Sequence, residues 1–147
     1  WRDRIIEGAQ GLDVTFSSPV TDHAASDDCG GTILGAEENK FWHDRKGAQM
    51  NAIRTRKGIV DADVVVVRFG DKYKQWNAAF DAGYAAALGK SLIILQPPEH
   101  DHALKEVDAA ALAVAREPEE VAPSIARVCT FFTNGSTYCS CASLYTG

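Results

Sequence analysis

Residues 62–69 read ADVVVVRF, an almost unbroken apolar run. A strand with one wet face alternates apolar and polar residues, so such a run belongs to a parallel strand covered on both faces. A second short run, SLIIL at 91–95, follows a helical stretch that stops at Gly89, a normal C-terminal position for glycine. Strand, helix, strand in that order makes a parallel pair with a right-handed crossover. Residues 1–10 have a helical pattern and 12–17, LDVTFS, alternate as a strand. Residues 39–61 form a long helix with Gly47 as a candidate break, and 75–88 and 103–110 form two more. A short strand at 112–115 precedes a last helix at 118–128, opened by Pro118. These elements specify one parallel sheet containing the strands 12–17, 63–69, 91–95 and 112–115.

In such sheets ligands bind beyond the carboxyl ends of the strands. That rule selects the loops 17–35, 69–75 and 96–102. Neither GxGxxG nor GxxxxGK[ST] is present, so the glycines of ordinary dinucleotide and P-loop sites are missing, and no cofactor is expected. The chain has 147 residues, which favours one domain, and a net charge of −5, which argues against a nucleic-acid polymer as partner. No apolar run approaches the roughly 20 residues of a membrane span, and no signal peptide is recognisable. A small-molecule partner and a cytoplasmic location follow as expectations. Of the four cysteines, only Cys29 precedes residue 129, which suits a reducing compartment. Cys139 and Cys141 have no second cluster to complete a metal site, so no metal is expected.

Within the helix 75–88, Asp81 is an acid among alanines. At about 100° per residue, Trp76, Phe80, Gly83 and Ala87 form one stripe, read as the face packed on the sheet. Asn77, Asp81, Tyr84 and Ala85 line the adjacent side. A solvated or capping Asp is the plain reading. The small neighbours Ala78, Ala79, Ala82, Ala85 and Ala86 favour the other, because they leave room for a ligand to approach.

The segment ADVVVVRFGDKYKQWNAAFDAGYAAALGKSLIIL resembles the nucleoside 2-deoxyribosyltransferase superfamily, with its aDxvv strand, loop Asp and GTAxExGYAxxLGKPV motif. TFSSPVTDHAASDDCG, KFWHD and NAIRTRK bring it closer to the YtoQ branch. The likeness spans residues 1–128 and implies a flavodoxin-like three-layer α/β sandwich. It also implies cleavage of an N-glycosidic bond in a nucleoside or nucleotide. Asp81 falls where the superfamily carries its glutamate nucleophile, and Asp71 where it carries an acid near the sugar and leaving base. Gly83 and Tyr84 match the Gly-Tyr pair. The likeness further implies a homodimer or larger assembly, with the 39–61 helix, through Phe41 and Trp42, as the candidate interface.

Three departures stand out. Asp is one methylene shorter than Glu, Asn77-Ala78 replaces Gly-Thr, and the opening YLxGxxH strand, central in this fold, is absent, so the implied strand order is 12–17, a gap, 63–69, 91–95, 112–115. These leave open a non-catalytic nucleotide-binding module or a truncated, inactive member. Residues 129–147 show no family likeness and form an atypical tail. It is expected to be loosely held, the alternative being that it covers the gap left by the missing strand.

Other candidates lie near the same sheet end. Pro19, Thr21, Asp22 and His23 follow the first strand and could contact ribose or phosphate, or simply build turns. Arg68, inside a buried-looking run, needs a partner, and Asp71 is the nearest acid in sequence. Arg54, Arg56 and the His100-Asp101-His102 group read as solvated charge.

Overall fold

The computed structural model describes residues 1–70, 75–132 and 141–146. Its contacts divide the chain into two compact units, Trp1–Ser17 with Ile59–Gly147, and Ser18–Gly58.

The first unit is built on a five-stranded, all-parallel sheet. Its strands are β1 (Thr15–Ser17), β2 (Val64–Arg68), β3 (Ser91–Leu95), β4 (Ala113–Ala115) and β5 (Cys141–Thr146). Their order is β1-β5-β2-β3-β4. Every β2 residue from Val64 to Val67 is buried, as is β3 from Leu92 to Leu95, which is why neither alternates. The gap between the 12–17 and 63–69 strands is occupied by the tail. β5 pairs with β1 at Thr15–Cys141, Phe16–Ala142 and Ser17–Ser143, and with β2 from Val64–Ala142 to Arg68–Thr146. The expectation of a loosely held tail is therefore corrected over 141–146. An empty slot would leave two rows of backbone donors and acceptors unpaired inside the sheet, and β5 satisfies both.

Helices cover both faces. On one, α1 (Arg2–Gly8) and α7 (Pro118–Phe132) bring Ile5, Val121 and Ile125 onto Val64, Val66, Ile93, Ala142 and Leu144. On the other, α5 (Trp76–Ala87), α6 (Lys105–Ala110) and the end of α4 (Lys40–Asp61) meet Val65, Val67, Leu92, Ile94 and Tyr145. β5 thus serves both cores, with Ala142 and Leu144 on one side and Tyr145 on the other. Gly89 ends α5 with φ +67°, and its N–H donates to the Ala86 carbonyl at 3.0 Å. α7 continues through 129–132, past the end expected at 128.

α5 does not lie on the sheet through its aromatic stripe. Trp76 and Phe80 are 71% and 73% exposed, while Ala78, Ala82 and Ala85 are buried against the strands. The alanines win because their short side chains let the helix approach the sheet closely. The large rings are left on the outer side.

The second unit contains α2 (His23–Ser26), α3 (Cys29–Leu34) and most of α4, so 18–35 is not one long loop. α4 is continuous through Gly47. A Cβ at Gly30 would come within 2.4 Å of the Gly47 nitrogen, and one at Gly47 within 2.2 Å of the Asp27 carbonyl oxygen. Gly47 is there for a close backbone approach, not as a break.

Candidate functional site

Asp81 lies on the second turn of α5, on the flank between the buried alanines and the exposed stripe. It is half-buried. Burial pushes its carboxyl up from 3.8 to about 6, because removing water penalises the charged form. Tyr145, 3% exposed, stands on β5 opposite Val67 in the register. Burial raises its phenol to about 12, the Ser143 hydrogen bond opposes this, and the charge on Asp81 adds to the rise. At neutral pH the pair is a poorly solvated carboxylate near a neutral phenol. Asn77 is exposed and Tyr84 half-buried on the same side of the helix. Asp71, the expected partner acid, falls outside the described residues.

At the same edge, on the α1 side, stand two arginines. Arg68 closes β2, and its guanidinium lies 5.9 Å from the centre of the Trp1 ring. Arg2 is 4.7 Å from that centre, and its Nε donates to the Leu144 carbonyl at 3.3 Å. Burial lowers the Arg2 pKa, and the charge on Arg68 lowers it further. A Cβ on Gly70 would come within 3.2 Å of Arg68 Nη1, so glycine leaves room for the guanidinium over the strand end. Among the described residues, Arg68 contacts the indole and no carboxylate ion-pairs with it.

The loops after β2 and β3 are tied together. His100 Nε2 is 2.9 Å from the Gly70 carbonyl oxygen, and the Gly70 N–H donates to Gln75 Oε1 at 3.3 Å. Gln96, 1% exposed, donates to Asp108 at 2.8 Å and Asp101 at 3.4 Å, and Arg116 pairs with Asp101. The 100–102 group is thus not plain solvation, since His100 and Asp101 act as loop ties.

Pro19, Thr21, Asp22 and His23 belong to the other unit. Pro19 is half-buried, Thr21 and Asp22 are exposed, and His23 opens α2. Asp22 accepts the Ala25 N–H at 2.9 Å, which is turn and cap chemistry. Arg54 is not merely a surface charge: it donates to the Ala25 carbonyl at 2.6 Å. Phe41 and Trp42 stack edge to face at 5.0 Å and are exposed.

Among the described residues no group of three or more His, Cys, Asp or Glu side chains could hold a metal. No helix among them is long and apolar enough to cross a membrane. Cys29 and Cys141 are free thiols, whereas Cys129 is disulfide-bonded.

The sequence pattern of the family described as "Nucleoside 2-deoxyribosyltransferase YtoQ" matches residues 1–129. The chain belongs to this family. It is also 43% identical, over 109 residues, to "Uncharacterized protein YtoQ" of Bacillus subtilis (strain 168). That match covers 73% of this chain and 74% of the relative. Membership accounts for the α/β fold.

Two residues near Asp81 and Arg68 escaped the motif reading. Tyr145 lies in the tail, which shares no family likeness, and the strand propensity of Tyr145 and Thr146 was the available signal. Arg2 gave no signal at all, because only the folding of α1 onto β5 brings it to Arg68.

Proposed function

We propose that the protein cleaves the N-glycosidic bond of a nucleoside or nucleotide, with the Asp81 carboxylate as nucleophile. The observation that supports this most is the acid itself: half-buried, on a small-residue helix, with its pKa raised to about 6. Perturbed acids in this setting concentrate at functional sites. An Asp81 oxygen attacks the anomeric carbon as the C–N bond breaks, and the bond pair leaves with the base. Asp71 is the proposed proton donor to the base or acceptor of a sugar hydroxyl. Water or a second base then attacks the glycosyl-enzyme and frees Asp81. Tyr145, neutral over the working pH range, suits a donor that orients the carboxylate.

The test is release of free base from 2′-deoxynucleosides, followed by chromatography, for the parent protein, Asp81→Asn and Asp81→Glu. Asp81→Asn should lower the rate by at least about a thousandfold, as loss of a nucleophile does. Asp81→Glu should retain turnover. Equal rates for parent and Asp81→Asn would remove the nucleophile role. Ligand binding with no base release from the parent would favour the non-catalytic module, which the shorter Asp side chain also allows.

A further inference from the structure

We propose that Arg2 and Arg68 form a seat for a phosphate group, so that the ligand is a nucleoside phosphate laid across the strand ends. Its sugar would lie toward α5 and its phosphate toward α1.

Arg2 Nη2 is sealed from solvent and, among the described residues, has no hydrogen-bond partner. Its Nε is held by the Leu144 carbonyl, so the fork cannot swing away to find water. The second guanidinium shares the same indole ring, at 4.7 and 5.9 Å from its centre. Two like charges on one ring repel, and a buried donor without an acceptor costs about 1–3 kcal/mol. Among the described residues neither guanidinium ion-pairs with a carboxylate. Asp3 draws the Arg2 pKa up only weakly, behind burial and Arg68. A dianion would relieve both defects at once, and guanidinium forks match phosphate oxygens in shape as well as charge.

Position links this seat to Asp81. Arg68 follows Val67, which pairs with Tyr145, and Tyr145 senses the Asp81 charge. Successive strand residues face opposite sides of the sheet. Arg68 therefore points to the α1 side and Val67, with Tyr145, to the α5 side, at the same strand tips.

The inference uses the glycosidase reading for the sugar end of the ligand, but its test does not depend on turnover. Calorimetry on the Asp81→Asn protein would compare 2′-deoxyadenosine, its 3′- and 5′-monophosphates and inorganic phosphate. One monophosphate should bind at least tenfold tighter than the nucleoside. Arg68→Gln should reduce that advantage to twofold or less, and inorganic phosphate should compete with the monophosphate. Arg2→Gln should act in the same direction, with its melting temperature checked because Arg2 also braces β5. Equal affinity for nucleoside and monophosphates, or an advantage that survives Arg68→Gln, would overturn the seat. Inorganic phosphate bound through Arg68 with no nucleotide preference would overturn the nucleotide assignment. Base release unaffected by Asp81→Asn would sink the nucleophile and leave this result standing.

Discussion

Asp81 is held in a setting that suits its protonated form, and this has two measurable consequences. Its pKa rises from 3.8 in the unfolded chain to about 6 in the fold. Below pH 3.8 the carboxyl is protonated in both states and costs nothing. Between 3.8 and about 6 the folded protein pays to lose the proton, and above 6 the cost is complete. A shift of this size corresponds to about 3 kcal/mol, which water screening of the half-buried group reduces. Asp81→Asn should therefore raise the melting temperature at pH 7.5 and leave it nearly unchanged at pH 3.5. A residue kept against stability is the pattern expected of a working group. If the charged form is the nucleophile, kcat/KM should rise with pH through an inflection near 6. A flat profile between pH 5 and 7 would separate the raised pKa from the chemistry.

At the scale of the element, small residues decide where helices lie. Ala78, Ala82 and Ala85 seat α5 on the sheet, and this places Asp81 on the flank rather than in the core or on the open face. In the 18–58 unit, Gly30 and Gly47 let backbone meet backbone. Gly47→Ala would drive a methyl to within 2.2 Å of the Asp27 carbonyl oxygen, where no flexible side-chain end can yield. The expected loss is about 1–3 kcal/mol, read as faster hydrogen exchange in α3 and α4. Protection of β2 and β3 should change less, because those strands belong to the other compact unit.

For the whole molecule, the decisive strand comes last in sequence and lies inside the sheet. β5 pairs on both sides and places Leu144 in one core and Tyr145 in the other. A chain ending at Phe132 should lose its cooperative thermal transition, since β1 and β2 would face each other across an unfilled slot. Leu144→Ala, which keeps the strand and removes its largest buried aliphatic group, should cost about 2–5 kcal/mol. A truncated chain that melts cooperatively at the same temperature would show β5 to be dispensable.

Short-range pattern was enough for four of the strands, the helices between them other than α2 and α3, and the presence of an acid on α5. Strand period, apolar runs and glycine stops are local, and a residue's immediate neighbours carry them. The GYAxxLGK segment likewise named the family from contiguous residues. Packing decided the rest, because it depends on partners far away in sequence. Arg2 meets Leu144 across 142 positions. The stripe of α5 that faces the sheet was misread because helical periodicity fixes which residues share a face, not which face is buried. Trp76 and Phe80 were the more hydrophobic choice, but the alanines allowed the closer approach. The tail became a central strand for the same kind of reason: only the assembled sheet presents the slot that CASLYT fills.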